Sequence, residues 1–436
     1  MSGPVGSASS APNPAPLPLT PGEAARRIQA EIPVQPLLRM PLDDALGAVL
    51  AEPVYSPLDI PPWTNSAMDG YAVRADDIRG ATPENPKRLR VMEILPAGAF
   101  PSRTVGPGEC ARIFTGAPLP HGADSVVRQE DTDLGTEMVA VRNDRDCGVN
   151  IRRAGEDITK GARVLEAGTE LGAAQLGVLA SLAVAHPLVY RRPRVAILGS
   201  GDELATLDQT GEILAGRKVA SSNTHTLIAL VRQAGGAAVD LGIAADHPES
   251  LRTHLAGARD CDLLVTTAGI SVGDHDYLRA VLDELGLELR FWKLRMRPGA
   301  PVGFGLLHGV PWIGLPGNPV STMVTFELFV RPAIRRMMGF LRPFRRATLV
   351  RVAEPIRLGP KLQHFLRVVV SDPPGANGSA LPEARLAGPQ GSGILTSMIR
   401  ANALLIVPEG QHETPEGAHL SALVLDDPHH VAEPPF

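Results

Sequence analysis

The chain has 436 residues, of which 44% are hydrophobic and 20% charged, a balance that fits a soluble globular protein large enough for two to four domains. Its formal net charge is −5 and only 4% of residues are aromatic, so the basic stripe and stacking rings of a nucleic-acid binder are missing. Three cysteines, Cys110, Cys147 and Cys261, are too few and too scattered for a disulfide framework or a zinc site.

The first 19 residues are rich in Ser, Pro and Ala, lack a charged start and an apolar core, and are expected to be a disordered tail rather than a signal peptide. The most apolar stretch, Leu171 to Val184, is interrupted by Gln175 and Gly177 and is too short for a bilayer, so no membrane role and a cytoplasmic location are expected. Order is expected from Thr20, where Thr20-Pro21-Gly22-Glu23 reads as a capping box opening a helix to about Glu31. A second short helix is expected over Leu42–Ala51. From Pro53 to about Asn150 short β-like runs (Arg88–Leu95, Ser125–Glu130, Met138–Arg142) alternate with Gly, Pro, Asn and Asp turns, predicting a small all-β module. Residues 151–190 return to a connecting region with a helix from Ala173 to Leu182.

The stretch 191–340 alternates strand and helix. Arg194–Leu198, Val239–Ile243 and Asp262–Thr267 read as strands, and Asn223–Ala234 and Pro248–Ala258 as the crossover helices of a parallel sheet. Helix Leu278–Leu285, strand Glu288–Met296, a hairpin turning at His308-Gly309 and a long helix Pro319–Met338 complete this α/β domain. Short strands at Ala347–Val352, Phe365–Val370 and Ala403–Val407 predict a terminal β domain.

Ligands of an open parallel sheet bind beyond the carboxyl ends of its strands, and the informative loops fall there. Thr267-Ala268-Gly269-Ile270-Ser271-Val272-Gly273-Asp274-His275-Asp276 offers close backbone approach at Gly269 and Gly273 and a hydroxyl at Ser271, as an anion loop needs. Asp274 and Asp276 place carboxylates beside it, suited to Mg²⁺ held against phosphate oxygens. The same segment also reads as a Gly-rich turn with solvated acids. Leu315-Pro316-Gly317-Asn318-Pro319 opens the long helix, with Asn318 at the N-cap and Pro319 at the first helical position; it is either an anion site or an ordinary cap. Gly199-Ser200-Gly201-Asp202-Glu203 superficially resembles a dinucleotide fingerprint but lacks the third glycine and a following helix, so a nucleotide-binding Rossmann reading is rejected. Asp246 either stabilises the start of the next helix or supplies another carboxylate to the crevice.

Together these segments resemble the molybdopterin molybdenumtransferase family, which includes the C-terminal domain of gephyrin. The resemblance runs from about Thr20 to about Gly410. It rests on NSAMDGYA (Asn65–Ala72), IFTGAPLPHGAD (Ile113–Asp124), GVNIRRAGED (Gly148–Asp157), GDEL (Gly201–Leu204), SN (Ser222-Asn223), TTAGISVGDHDY (Thr266–Tyr277), RPGAP (Arg297–Pro301), LPGNPVS (Leu315–Ser321) and GPQGSG (Gly388–Gly393). It implies a multidomain α/β and β architecture: a molybdopterin-binding α/β domain at 191–340, a β-rich domain at 46–149, a discontinuous linker domain from 20–45 and 150–190, and a C-terminal β-barrel-like domain at 341–430. It also implies a homodimer with a cleft shared between subunits, insertion of molybdate into adenylated molybdopterin, and Mg²⁺-dependent release of AMP. Molybdopterin adenylyltransferase and acceptor molybdoenzymes are the implied protein partners.

Carried over by motif, Asp69, Thr115, Glu203, Asp246 and Asp276 are expected to be catalytic. Arg152, Asp157, Gly269, Ser271, Gly273, Arg297, Pro316, Asn318 and Pro319 are expected to bind substrate, and Glu203, Asp246, Asp274 and Asp276 to hold the metal. Many family members read KPGKP where this chain has Arg297-Pro298-Gly299-Ala300-Pro301, so the second cation is lost at Ala300. Ala268 stands where a glycine is usual, and Gly199-Ser200 where Ser-Thr is usual. The rival reading is a catalytically weak paralogue that binds or delivers the cofactor.

Overall fold

The computed structural model describes residues 18–268, 277–359, 361–372 and 381–425. The chain divides into two compact units: Arg39–Val189, and the chain through Leu38 joined to the chain from Tyr190 onward. Among the described residues no helix is long and apolar enough to cross a membrane.

The first helix, α1 (Pro21–Glu31), begins at the expected capping box. The Thr20 hydroxyl accepts from the Glu23 N–H at 3.3 Å while Glu23 Oε2 accepts from the Thr20 N–H at 2.8 Å. Its buried Ala24 and Ile28 face the second half of the long helix described below.

The Arg39–Val189 unit is built on a five-stranded sheet. Its strands are β1 (Gly70–Val73), β2 (Lys87–Leu95), β3 (Glu109–Ile113), β4 (Ser125–Arg128) and β5 (Met138–Val141), in the order β4-β1-β3-β2-β5. Only the β2–β3 pair is parallel. Tyr71, Val73, Leu89, Val127 and Val139 bury one face, and Ala72, Leu95, Ile113 and Val126 the other. A connecting helix α2 covers Ala173–Ser181. The helix expected over Leu42–Ala51 does not form. A single 3₁₀ turn at Leu42–Asp44 gives way to bridges from Val49 to Glu170 and from Leu50 to Val189. Burial of Ala48, Val49 and Leu50 by these long-range pairings outweighs a local helical preference.

The second unit holds two layers of different kind. In the α/β layer, β6 (Arg194–Ser200), α3 (Ser222–Gln233), β7 (Ala237–Ala244), α4 (Pro248–Leu255), β8 (Leu263–Thr267) and α5 (Tyr277–Glu284) follow the expected alternation. Strand β9 ends at Phe291 (Leu287–Phe291), and the expected continuation to Met296 is instead a separate two-residue strand, β10 (Met296–Arg297). The hairpin β11 (Gly303–Leu307) and β12 (Val310–Leu315) turns at His308-Gly309 as expected. The sheet order is β7-β6-β8-β12-β11-β9, with the first four strands parallel and the last two antiparallel to their neighbours. The long helix α6 starts at Pro319 and runs to Met337, with a π-helical turn at Phe326–Val330.

The terminal strands β13 (Ala347–Val352), β14 (Gln363–Ser371), β15 (Glu383–Leu386), β16 (Ala403–Val407) and β17 (His419–Val424) close into a five-stranded barrel through the β14–β16 pair. Val350, Val352, Leu366, Val368 and Leu405 fill its interior. Strand β10 pairs in parallel with the edge of β14, Arg297 opposite His364, so a segment emerging from the α/β layer is stitched to the barrel.

Candidate functional site

Three cavities follow one another along the carboxyl edge of the α/β layer and onto the barrel. The first, of about 420 Å³, is lined by Ser200, Glu203, Asn223, Ala268, Pro316 and Asn318 among others. It lies where β6, β8 and β12 end, as expected for a parallel sheet. Asn223 at the start of α3 donates through Nδ2 to the Gly317 carbonyl at 2.7 Å, and Thr322 Oγ1 donates to the Pro316 carbonyl at 2.6 Å. These two bonds fix the Pro316–Asn318 turn from both sides. The Glu203 carboxylate folds back over Gly201, whose φ is +146°; a Cβ there would lie 2.7 Å from either Glu203 oxygen.

Asp246 follows β7, and its N–H donates to Asp202 Oδ1 at 3.0 Å. Partial burial of its carboxyl, and after that the neighbouring Asp202 and Glu203 carboxylates, push its pKa up. Carboxylates held against one another suit a divalent cation. Among the described residues, however, no group of three His, Cys, Asp or Glu side chains is assembled closely enough to hold a metal. Asp274 and Asp276, and with them Gly269, Ser271 and Gly273, lie outside the described residues.

Ala268, at the point where a glycine is usual in the resembling family, has a φ of +67°. That left-handed conformation crowds a Cβ against the following carbonyl. Ala268→Gly is expected to stabilise the second unit by roughly 0.5–1 kcal/mol, the relief of strain less the added freedom of the unfolded chain. Denaturant titration of the two proteins measures this; an unchanged or lower midpoint would show the position unstrained.

The second cavity, about 300 Å³, shares Pro301, Pro316 and Asn318 with the first and adds Arg297, Ala300, Gln390 and Ser392. Asn318 holds the N-cap position of α6, but its side chain makes no capping bond. The Val320 N–H, in the first turn, donates to the Ser392 carbonyl at 3.1 Å, so a barrel loop satisfies part of that helix start. Pro319 occupies the first helical position, as expected.

The third cavity, about 330 Å³, shares Arg297 and Gln390 with the second and reaches Arg367. Arg367 is 0% exposed, and desolvation lowers its pKa. Among the described residues its guanidinium donates only to neutral oxygens: Ser397 Oγ at 3.1 Å and the Pro389 and Gly391 carbonyls at 3.2 and 3.0 Å. A buried cation with no carboxylate is costly unless an anion visits it. Gln390 accepts from the Arg367 N–H at 2.9 Å and donates to its carbonyl at 3.0 Å, imitating a strand neighbour and fixing the backbone that carries the charge. Arg367, Gln390 and Ser392 were not singled out from sequence, although Gln390 and Ser392 lie in the GPQGSG segment.

The Arg39–Val189 unit carries the remaining residues. Asp69 Oδ1 accepts from both the Thr115 N–H (2.8 Å) and the Thr115 hydroxyl (2.7 Å), and these two bonds hold its pKa below the usual carboxylate range. Arg152 lies opposite Asn65 in a two-residue antiparallel pair, Asn65–Ser66 with Ile151–Arg152, and its exposed guanidinium has no hydrogen bond or ion pair among the described residues. The Asp157 N–H donates to the Ile60 carbonyl at 3.0 Å. Asn65 is 5% exposed and its Oδ1 lacks a donor among the described residues, an unmet acceptor inside the NSAMDGYA segment. The structure thus brings Asp69 to Thr115, and it lines adjoining cavities with Glu203, Pro316, Asn318 and Arg297.

Comparison with known proteins covers almost the whole described chain. Residues 19–183 match the model of the MoeA N-terminal region (domain I and II), 196–336 that of a probable molybdopterin binding domain, and 350–425 that of the MoeA C-terminal region (domain IV). The chain is 37% identical over 387 residues to the molybdopterin molybdenumtransferase of Nostoc sp., covering 87% of each chain. It is 38% identical over 389 residues to molybdopterin molybdenumtransferase 2 of Mycobacterium tuberculosis, covering 88% of this chain and 94% of that one. The crystal structure of the molybdopterin biosynthesis MoeA protein from Pyrococcus horikoshii OT3 superposes with a TM-score of 0.75 at 28% identity, over 94% of this chain and all of the other. By sequence and by fold, the chain belongs to the molybdopterin molybdenumtransferase family.

Proposed function

We propose that this protein is a cytoplasmic transferase that inserts molybdenum, supplied as molybdate, into adenylated molybdopterin and releases AMP. The observation that carries the reading is Arg367, a fully buried guanidinium with no carboxylate partner among the described residues, lining the same cavity as Arg297. Molybdate is a tetrahedral dianion, and planar guanidinium forks with N–H and hydroxyl donors suit its oxygens better than carboxylates do. Arg367 compensates in this reading for the cation that Ala300 does not provide. The first cavity, with its Pro316–Asn318 turn and Asn223, takes the pterin and its phosphates, and the second cavity, which shares Pro301 and Pro316 with the first and Arg297 with the third, connects the two substrates. Asp69, Thr115, Arg152 and Asp157 belong to the substrate site as the family resemblance implies. The same reading makes the chain a homodimer that receives its substrate from a molybdopterin adenylyltransferase and passes its product to molybdoenzymes.

Glu203 and Asp246 would hold Mg²⁺ together with Asp274 and Asp276, and the bound ion would offset charge on the departing phosphate. Incubation of the protein with adenylated molybdopterin, Mg²⁺ and molybdate should release AMP in a molybdate-dependent manner. Absence of AMP from well-folded protein that retains pterin binding would favour the delivery paralogue instead.

Asp246 gives this reading a signature independent of turnover. Its folded-state pKa is raised, so ionisation above the unfolded value works against folding, and stability is recovered as pH falls back through the folded value. Asp246→Asn should therefore raise Tm at neutral pH, with the gain shrinking as pH descends into the ordinary carboxylate range. Mg²⁺ should raise the Tm of wild type more than that of the variant. A pH-independent difference would remove Asp246 from the carboxylate cluster.

A further inference from the structure

A fourth cavity, of about 420 Å³, lies at the opposite, amino edge of the α/β sheet. Leu264 near the start of β8, Val310 at the start of β12 and Leu307 at the end of β11 form its floor, and Leu255 at the end of α4 and Ala258 in the 3₁₀ turn that follows form one wall. Leu255, Ala258, Leu264 and Leu307 belong to the core of this layer, so the core is reachable from outside at this point. The mouth is polar in one sense only. Arg252, Arg259 and His308 line it, and among the described lining residues none is acidic, in a chain whose formal net charge is −5.

The two arginines differ. Arg252 is fixed, bonding Glu249 at 3.1 Å and Glu284 at 2.7 Å, and so ties α4 to α5 as the cavity's side wall. The Arg259 guanidinium has no hydrogen bond or ion pair among the described residues. A concave apolar chamber with a few polar groups converging at its mouth is the form of a small-molecule site. The available guanidinium would set the polarity of the ligand, because a charge-assisted bond from Arg259 rewards an anionic end group.

We propose that this cavity is a binding site for a small amphipathic anion: a compact hydrocarbon body in the Leu264–Leu307 chamber and one carboxylate at Arg259. The site lies at the sheet edge remote from the carboxyl-end cavities and shares no lining residue with them. It stands whether or not the molybdate reading holds.

Decanoate and decanol serve as probes on the full-length protein, followed by chemical-shift changes of leucine and valine methyl groups. Decanoate should bind saturably, with shifts centred on Leu264, Leu307 and Val310, and more tightly than decanol. Arg259→Glu, at an exposed position, should weaken decanoate by on the order of 10-fold or more and leave decanol nearly unchanged. Ala256→Trp, also exposed, places a ring at the mouth and should weaken both probes while leaving Tm within experimental scatter. Failure of decanoate to saturate, shifts centred elsewhere, or binding indifferent to Ala256→Trp would each overturn the site. Equal binding of both probes, indifferent to Arg259→Glu, would overturn the anionic class of the ligand.

Discussion

Replacing Arg297 by alanine should raise the molybdate concentration for half-maximal AMP release on the order of 10- to 100-fold, with little change in affinity for the adenylated pterin. A charge-assisted hydrogen bond is worth about 1.5–3 kcal/mol, which sets that range. Arg297 is exposed and its side chain lines both barrel-side cavities, so its removal should leave the fold intact. Arg367→Lys should act in the same direction, because a lysine retains charge but cannot bridge Ser397 and the Pro389 and Gly391 carbonyls in the same plane. Ala300→Lys should lower the molybdate requirement modestly. The measurement is AMP release against molybdate concentration for each variant. If Arg297→Ala leaves that curve in place, the dianion is held elsewhere.

The second large effect is expected at Gly70, at the start of β1, the strand beside the edge strand β4 in the five-stranded sheet. A Cβ built there would lie 1.9 Å from the Val127 carbonyl oxygen and 2.8 Å from its carbon, both backbone atoms that cannot swing aside. Strand β1 is held between β3 and the edge strand β4, so β4 can yield to the added methyl only by giving up the β1–β4 ladder itself. Gly70→Ala should cost on the order of 3 kcal/mol. It should also pull Asp69 from Thr115, losing activity before the sheet melts. Far-ultraviolet thermal scans and AMP release separate the two consequences. A variant as stable as wild type would mean that β1 and β4 can separate at this point.

Local signals in the chain were sufficient where structure is itself local. The capping box at Thr20, proline at the first turns of α1, α4 and α6, and the apolar runs of β13 and β16 placed those elements almost to the residue. They did not suffice where distant chain decides. Leu42–Ala51 carries a helical pattern, yet its apolar residues are claimed by bridges to Glu170 and Val189. The long helix was legible in extent, but its π-helical turn left no mark that could be read beforehand.

The site divides in the same way. Glu203, Arg297, Pro316 and Asn318 sit at strand and helix ends, where sequence position predicts exposure to a cleft. Arg367 could not be found so. Within His364-Phe365-Leu366-Arg367-Val368 it shares a face with Phe365, opposite the face that fills the barrel. An arginine on that face reads as solvated. Its burial comes from Pro389, Gly391 and Ser397, which the chain returns over it much later.

Arg297, Arg367 and Ser392 are distant along the chain, and the short β10–β14 pairing, the Val320–Ser392 bond and the Arg367 bonds to Pro389, Gln390 and Gly391 bring them together. Closing those long loops carries an entropic cost that no single layer's core offsets alone. An oxyanion that fits between the two arginines therefore recognises the finished second unit and none of its parts. By mass action it adds RT ln(1 + [L]/Kd) to the stability of that state alone. The metal to be inserted would then also act as a ligand that selects correctly assembled enzyme, and protein starved of molybdate should be turned over faster by proteases.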